Sequence, residues 1–190
     1  MKKIFFTLIT LCFALNSIAQ EHLTFKGIPI KGSMTSFCQK LKSKGLKQVA
    51  TDKNATWFVG DFTGRNATIG VGATDDGKNV HTVLAIFDPS EEWNTLTNIY
   101  DYYKELYTRK YGEPKESVEN NPANGDSNIS KMAEVDQGTV TWASVWEVTG
   151  GTIELFIEKS AEGIYKGEVV IRYRDKQNVE NKIQNDLDEI

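Results

Sequence analysis

The chain has 190 residues, with 22 basic and 26 acidic side chains and a formal charge of −4. This acidity, without a basic cluster, argues against nucleic-acid binding, because neutralising phosphates requires Lys and Arg gathered on one face. The length suffices for one domain with a substantial core or for two small fused halves.

Residues 1–19, MKKIFFTLITLCFALNSIA, have the layout of a secretory signal peptide. Two lysines precede an apolar run, and the segment ends on the small-x-small pattern of Ser17, Ile18 and Ala19. We predict cleavage after Ala19 and a periplasmic or secreted location, with a formal charge of −6 on the remaining chain. The apolar run is shorter than the ~20 residues that span a bilayer, and no later stretch is longer, so no integral membrane segment is expected after cleavage.

The first half of the mature chain predicts an arm, a helix and three strands. Residues 23–32 are typical of a short strand or extended arm. The apolar side chains of residues 34–41 recur at helical spacing, and Cys38 lies on that stripe, where we predict a buried core residue. Turn residues then separate three predicted strands: 56–62, 68–74 and 80–87.

A long helix and a second set of strands complete the chain. The apolar stripe of residues 93–111 predicts the helix, which should end at Gly112. Three further strands are predicted at 139–148, 152–158 and 168–173. Apolar side chains at helical spacing behind Asp175 predict a closing helix: Val179, Ile183, Leu187 and Ile190.

Two hairpins have similar sequences, VGDFTGRNATIGVGA at 59–73 and VWEVTGGTIELFIEK at 145–159. When their Thr-Gly turns are aligned, the alternating apolar residues match with a two-residue gap. Coincidence is the alternative, since strands and glycine turns use few residue types. We favour an internal repeat, which predicts an α+β fold of tandem αβββ units, with antiparallel meander sheets and helices packed on one face.

The predicted organisation is a signal peptide (1–19), a first α+β unit with its following helix (20–112), a polar loop (113–138) and a second meander with a C-terminal helix (139–190). The parts after the signal peptide are expected to form one compact domain. The segment 113–138 is poor in large apolar residues and contains Asn-Pro and Asn-Gly. We predict a long loop, disordered or functional, that could hold one extra short strand.

The sequence contains no assembled catalytic group. His22, His81 and Cys38 are too few for a usual zinc site, and a single cysteine cannot form an internal disulfide. Phosphate-cradling, dinucleotide-binding and nucleophilic-serine motifs are missing. Residues 75–79, DDGKN, resemble part of a calcium loop but lack its register, so they predict a hairpin tip. We predict no catalytic residue, no metal and no cofactor.

The exposed face of the second meander supplies most of the candidate binding residues. Glu154, Phe156 and Glu158 alternate along one strand, and Arg172 and Arg174 project beside them from the next. Cross-strand charge pairing on a solvated sheet explains the charges equally well. Strands that are apolar on both faces are usually covered on both, so we expect a second sheet, the arm or the long loop to cover this face, with a binding patch as the alternative.

Gly70, Gly72 and Tyr102 are the other candidate binding residues. The two glycines alternate on one face of a strand, where they would let a backbone or a flat ligand approach, or would mark a bulge or bend. Tyr102 lies off the apolar stripe of the long helix. It is therefore expected to be exposed, a feature that requires no function.

The segments FKGIPIKGSMTSFCQKLKSKG and KYGEP, with the glycine-bearing strand pair, resemble a loose set of uncharacterised small secreted or periplasmic proteins of Bacteroidetes type. This likeness rests on structural residues such as Gly27, Pro29 and Phe37 and implies no catalytic motif. The tandem helix-plus-meander outline is also similar to β-lactamase-inhibitor-like proteins and outer-membrane assembly modules, which implies binding of another protein. The paired cysteines of the inhibitor pattern are missing here.

The expected function is that of an exported, non-enzymatic binding protein of the cell envelope, whose partner is a protein, a peptide or a glycan. The alternative is a carboxylate-dependent hydrolase of an envelope or dietary polymer, with Glu154 and Glu158 as its acids. That alternative requires a carboxyl pKa raised by burial or by a like-charged neighbour.

Overall fold

The computed structural model describes residues 22–120, 125–188 and 190. The predicted signal peptide therefore lies outside the described residues. In chain order, the elements are β1 (Thr24–Phe25), β2 (Ile28–Pro29), α1 (Met34–Ser43), β3 (Lys47–Thr51), β4 (Ala55–Phe62), β5 (Arg65–Ala73), β6 (Val80–Phe87), α2 (Trp93–Tyr111), β7 (Glu116–Glu119), α3 (Asn128–Gln137), β8 (Trp142–Val148), β9 (Gly151–Lys159), β10 (Gly167–Asp175) and α4 (Lys176–Leu187).

Strands β3 to β10 form one antiparallel sheet in the order β3-β4-β5-β6-β10-β9-β8-β7. Each half is a meander, and the halves join where β6 pairs with β10, with Ala85 opposite Ile171. This confirms the predicted α+β class of antiparallel meanders with helices on one face. The two meanders do not form separate sheets, because their last strands are hydrogen-bonded to each other.

The predicted Thr-Gly turns lie at the ends of two hairpins. Thr63 (φ 53°) and Gly64 (φ 84°) connect β4 to β5, and Gly150 (φ 87°) precedes β9. Positive φ favours glycine, which has no Cβ to clash. A Cβ on Gly151 would lie only 2.0 Å from the carbonyl oxygen of Arg174. The second hairpin therefore uses its glycine pair for both a turn and a close approach of β9 to β10.

One face of the sheet carries the hydrophobic core. Alternate residues of the central strands are buried there: Val83, Ala85, Phe87, Ile153, Leu155, Val169 and Ile171. Helix α2 packs across β8, β9 and β10, and its predicted stripe buries Leu96 and Tyr103. Helix α1, which is capped by Ser33, packs on β5 and buries Cys38. The predicted core position of that cysteine is confirmed, and burial raises the pKa of its thiol.

The N-terminal arm is a hairpin rather than a single extended strand. Strands β1 and β2 pair, and Phe25 at the end of β1 is fully buried. Its ring stacks on Phe62 with centroids 5.5 Å apart and meets Tyr173 edge-on at 5.2 Å. Aromatic contacts of this kind add about 0.5–1.5 kcal/mol to the gain from burial. The hairpin therefore closes one end of the core face.

The prediction of a polar loop at 113–138 with room for one extra short strand agrees with β7 but is wrong at α3. Strand β7 pairs with β8 at the sheet edge, and α3 packs on α2, β9 and β10. Ser127 caps α3, and Gly138 ends it in a left-handed conformation (φ 68°). Met132 and Val135 are its buried apolar residues, too few for the periodicity to indicate a helix. Strand β3 also escaped prediction, because all five of its residues are exposed and show no alternation.

Helix α4 starts where predicted, but its apolar stripe does not pack into the core. Ile183 is 52% exposed, and Leu187 is 53% exposed. The helix is held at its first turn instead, where the buried Asn178 amide donates to the carbonyl oxygens of Ile30 (3.0 Å) and Val80 (2.9 Å). Its N-terminus is therefore fixed, while Ile183 and Leu187 on its apolar side remain about half exposed.

The carboxylate of Asp175 connects three parts of the fold. It is fully buried and caps α4 by accepting from the backbone N–H of Asn178 at 3.1 Å. It also accepts from the backbone N–H of Leu23 at 3.0 Å and lies 3.1 Å from the ring nitrogen of His22. The end of β10, the N-terminal arm and α4 therefore share one acceptor group.

Replacing Asp175 by Ala should lower the free energy of unfolding by about 2–4 kcal/mol, because a helix cap is lost and buried donors are left without an acceptor. Urea denaturation followed by circular dichroism measures the change. Asp88, at the end of β6, is exposed. Asp88→Ala is the matched control, expected to stay within about 0.5 kcal/mol of the parent. Equal losses in both variants would contradict the connecting role of Asp175.

Candidate functional site

The sheet face opposite the core is the principal candidate site, and we term it the open face. It is defined by two cross-strand rows running over β4, β5, β6, β10 and β9. The first row is Trp57, Gly70, Leu84, Arg172 and Glu154. The second row is Val59, Thr68, Ile86, Val170 and Phe156. The centre of the face is therefore largely apolar, and charged groups lie on its β9 and β10 side.

The expected covering of this face is not found among the described residues. The N-terminal hairpin packs on the core side, where Phe25 contacts Tyr173, and α3 contacts α2 there. Helix α4 reaches one corner, where Val179 and Ile183 line a cavity of about 240 Å³ together with Leu84 and other residues of the face. In the described part of the chain, the sheet face is thus open except at the corner near α4.

Four of the predicted binding residues meet on the open face. Glu154 accepts from Arg172 at 3.0 Å and lies 3.3 Å from the Nε of Arg174. The guanidinium of Arg172 also lies over the ring of Phe156, 4.7 Å from its centroid. Because Glu154 is held between two arginines, its carboxylate is an ion-pair partner within the sheet. The cross-strand charge pairing predicted as the alternative explanation is therefore present, and it fixes the orientation of Arg172.

Glu158, the other predicted acid, has a neighbour that the sequence did not single out. It lies opposite Glu168 in the β9–β10 register. Burial raises the pKa of Glu158, while Arg172 acts in the lowering direction. Burial also raises the pKa of Glu168, a hydrogen bond from Ser160 opposes that shift, and the charges of Glu158 and Glu162 add to it. Glu158 and Glu168 thus form a cross-strand pair of carboxyls whose pKa values are both raised.

Gly70 of β5 leaves room for a flat group, and that group is the indole of Trp57 from the same chain. A Cβ on Gly70 would lie 2.6 Å from the ring of Trp57, so the indole lies directly over the glycine. A Cβ on Gly72 would meet His81 at 3.4 Å, an ordinary contact. The register of β5 with β6 shifts between Gly72 and Ala73, so the predicted irregularity occurs next to the second glycine. Gly70 therefore positions Trp57 on the open face.

Tyr102 is exposed as expected but lies apart from the other candidates. It belongs to α2, on the core side of the sheet, and is 41% exposed. The guanidinium of Arg65 lies 5.7 Å from its ring centroid, and Tyr103 meets it edge-on at 5.1 Å. The structure therefore does not bring Tyr102 into the open face.

A second site escaped sequence analysis because its residues are those of a core stripe. A cleft of about 350 Å³, which we term the aromatic cleft, separates the N-terminal hairpin from the C-terminal half of α2. Its walls are formed by Phe62, Tyr103, Tyr107, Tyr111 and Tyr173, with Lys26 and Lys110 also in its lining. The signal available in the sequence was the run of tyrosines at four-residue intervals at 103, 107 and 111.

Several chemical features bear on what the chain can bind or catalyse. Across the described ranges, no group of three or more His, Cys, Asp or Glu residues is placed to hold a metal ion. His81 is half-buried, and burial lowers the pKa of its imidazole.

Within the part of the chain that the structure describes, no helix has the length and apolarity to traverse a bilayer.

Gly70→Ala should displace the indole of Trp57, because the new methyl group would occupy part of the space held by the ring. The expected result is a red-shifted component of tryptophan fluorescence and a loss of about 1–3 kcal/mol of stability. Gly72→Ala is the matched control, since its methyl group meets only an ordinary contact. A Gly70→Ala variant with unchanged emission and stability would contradict this packing.

Replacing both Glu158 and Glu168 by Gln should stabilise the protein at neutral pH. Each carboxyl has a pKa raised above its unfolded value, so the folded chain binds more protons than the unfolded chain between those values. Wild-type stability contributed by these groups therefore falls as pH rises through that window, which starts near the ordinary Glu pKa of about 4.3. The gain in the variant should be largest at pH 7 and vanish near pH 3.

Urea denaturation of wild type and variant across this pH range measures the effect. The exposed Glu180 provides a single-site control, Glu180→Gln, which should show no such pH-dependent difference. A gain for Glu158→Gln/Glu168→Gln that is the same at every pH would contradict the assigned burial of the two carboxyls.

The chain matches no family model, no curated protein and no solved structure. Its function is therefore argued from the contacts, burial and charge of its own residues.

Proposed function

We propose that the protein is an exported, non-enzymatic binding protein of the cell envelope and that another protein docks on its open face. The observation that supports this most directly is a wide, largely apolar sheet face that no described segment covers apart from the corner near α4. Contiguous exposed apolar surface beyond a few hundred Å² commonly marks an interaction site.

The size of the open face suits a protein partner better than a small ligand. The five strands of the open face, about 4.8 Å apart, span roughly 19 Å, and strands of 8–9 residues extend roughly 26–30 Å. This amounts to roughly 500–570 Å², about two thirds of the ~800 Å² that one partner contributes to a standard protein interface. A flat face of this area encloses no small molecule, whereas it provides most of the contact area of one side of a protein interface.

The residue types on the face also fit a protein interface. Trp57 and Arg172 are of the types enriched at the energetic centres of such interfaces. Arg172 is already oriented by Glu154 and Phe156, so little side-chain entropy remains to be lost on binding. The ion pairs also leave the central face without a strong charge of either sign, which does not favour a polyanion.

The exposed side of α4 extends this surface. Ile183 lines the corner cavity with Leu84, and Leu187 follows one turn later on the same side of the helix. Both apolar side chains are about half exposed. A partner that covers the open face can therefore also bury the exposed part of α4.

Export and the internal repeat are parts of the same proposal. The signal-like residues 1–19 suggest a location in the periplasm or outside the cell, where envelope and secreted proteins are available as partners. In each half of the sheet, the strands follow chain order from the outer edge to the centre, β3 to β6 in one half and β7 to β10 in the other. This order and the matching turns at Gly64 and Gly150 support an origin by repetition of one unit. Joining two such units through β6 and β10 would double the width of the face available for docking.

Photo-crosslinking in the cells that make the protein tests this proposal. Benzoylphenylalanine placed at Phe156 should yield a discrete protein adduct, which should be lost when Ile86→Lys introduces a charge into the same row. The matched probe position is Ile129, an apolar residue that is 76% exposed at the start of α3. It lies off the open face and should not yield that adduct.

Two outcomes would overturn the proposal. One is the same adduct from both probe positions, and the other is an adduct at Phe156 that persists in Ile86→Lys at unchanged yield. Co-sedimentation with purified envelope glycan, lost in Ile86→Lys and unaccompanied by any protein adduct, would show that the partner is a glycan instead.

The hydrolase alternative has one observation in its favour, the raised pKa of Glu158 and Glu168. A carboxyl with a raised pKa can act as a general acid nearer neutral pH. Glu158 is nevertheless more than one third exposed on a flat sheet face, so the burial that raises its pKa is only partial. Breakdown of an envelope polymer by the purified protein, abolished in Glu158→Gln, would replace the binding proposal with this one.

A further inference from the structure

The aromatic cleft is independent of the open face, since it lies on the core side of the sheet. Its volume of about 350 Å³ falls within the range of roughly 300–1,000 Å³ typical of small-molecule sites. The hairpin of β1 and β2 forms one side, and the last two turns of α2 form the other. Both are anchored, the hairpin by the buried Phe25 and the helix by its buried stripe. The cleft is thus preformed.

The walls of the cleft are flat aromatic rings. Tyr107 and Tyr111 stack with centroids 5.9 Å apart and an interplanar angle of 18°. Phe62 and Tyr103 lie 6.0 Å apart on the other side. Planar groups pack against such rings by offset stacking or edge contacts, so a planar apolar ligand suits the cleft better than a branched one.

Three of the four phenolic hydroxyls in the walls, those of Tyr103, Tyr107 and Tyr173, form hydrogen bonds within the protein. Tyr107 and Tyr173 share a hydrogen bond between their hydroxyl groups. The Tyr103 hydroxyl lies 2.8 Å from Thr63 Oγ1 and 3.1 Å from the carbonyl oxygen of Phe62. Burial raises the pKa of all three tyrosines, so each stays neutral at physiological pH. The walls therefore contribute apolar surface and no negative charge.

The charges at the cleft are cationic. Lys26 and Lys110 line it, and neither forms an ion pair with any described carboxylate, whereas Lys104 pairs with Glu119. The ammonium of Lys26 donates to the carbonyl oxygen of Asp61 at 2.8 Å, and that of Lys110 lies 4.8 Å from the ring centroid of Tyr111. Both ammonium groups keep donor capacity for an incoming anion.

One acidic group lies close to the cleft without lining it. The charge of Asp61 acts on Tyr103, although burial and Thr63 dominate the pKa of that tyrosine. Asp61 is exposed, so water screens its carboxylate. The two lysines therefore leave the cleft with an excess of positive charge.

Two residues that line the cleft have an unusual backbone conformation. Lys26 (φ 48°) and Thr63 (φ 53°) adopt the left-handed conformation, which non-glycine residues adopt at a cost of order 1 kcal/mol. Both residues line the cleft, one from the turn of the hairpin and one from the turn between β4 and β5. The turn conformation of Lys26 places its ammonium beside the ring of Phe62, 5.8 Å from the centroid.

We propose that the aromatic cleft binds a small aromatic carboxylate, with the ring system against Phe62, Tyr107 and Tyr111 and the carboxylate between Lys26 and Lys110. The rings of the cleft provide stacking for the apolar body, and the two ammonium groups provide charge-assisted hydrogen bonds to the carboxylate. The volume of the cleft accommodates a fused two-ring system.

Calorimetric titration of the purified protein with naphthoate and with its neutral isostere naphthamide tests this assignment. Naphthoate should bind about tenfold more tightly, because only the anion gains charge-assisted hydrogen bonds. The double variant Lys26→Gln/Lys110→Gln should bind naphthoate about tenfold more weakly than wild type and should bind naphthamide with unchanged affinity. Lys44→Gln/Lys53→Gln removes the same charge at exposed positions outside the lining and should bind both probes as wild type does.

Two further variants locate the binding site. Leu106→Trp narrows the cleft and should abolish binding of both probes, while Phe156→Ala on the open face should affect neither. Equal affinity for the acid and the amide, naphthoate binding that survives Lys26→Gln/Lys110→Gln, or binding that survives Leu106→Trp would each overturn the proposal. Because Phe156 is not part of the cleft, the binding of these probes tests the cleft separately from docking on the open face.

Discussion

The pairing of β6 with β10 is the constraint on which the rest of the structure depends. Each meander ends in one of these strands, and their hydrogen bonds turn two half-sheets into one. A small sheet with one open side is marginally stable by itself, whereas the joined sheet offers α1, α2 and α3 a common surface to bury. The same pairing aligns the outward residues of both halves, so it creates the open face in the same step.

Strand β10 shows how one segment serves both sides of the sheet. Ile171 and Tyr173 point into the core, and Arg172 between them points to the open face, as the two-residue period of a strand requires. Val170, on the outward side, is nonetheless buried, because it is surrounded by neighbours within the sheet. The central strands are thus apolar on both sides, a composition usually found in covered sheets, and this makes the uncovered face informative.

Sequence periodicity predicted the elements with a strong buried side, and it failed where burial was sparse. The apolar stripe of α2 and the alternation of β9 and β10 were sufficient to predict these elements, since each element buries many apolar side chains. Helix α3 buries Met132 and Val135 among its apolar residues and was missed, and β3 buries none. The pair Glu158 and Glu168 and the aromatic cleft depend on register and on the packing of the N-terminal hairpin. The four-residue spacing of the tyrosines at 103, 107 and 111 indicated only a buried helix stripe, and no local spacing indicated the carboxyl pair.

The two proposed sites lie back to back across β10, with Tyr173 in the cleft and Arg172 on the open face. Adjacency alone does not couple them, because coupling requires an element with two alternative arrangements that both ligands bias. Strand β10 is hydrogen-bonded on both edges and packed in the core, so it provides no second arrangement. The N-terminal hairpin forms a wall of the cleft, but it is fixed by Phe25 and, at its base, by the Asp175 carboxylate. We therefore expect occupancy of the cleft and docking on the open face to be energetically independent.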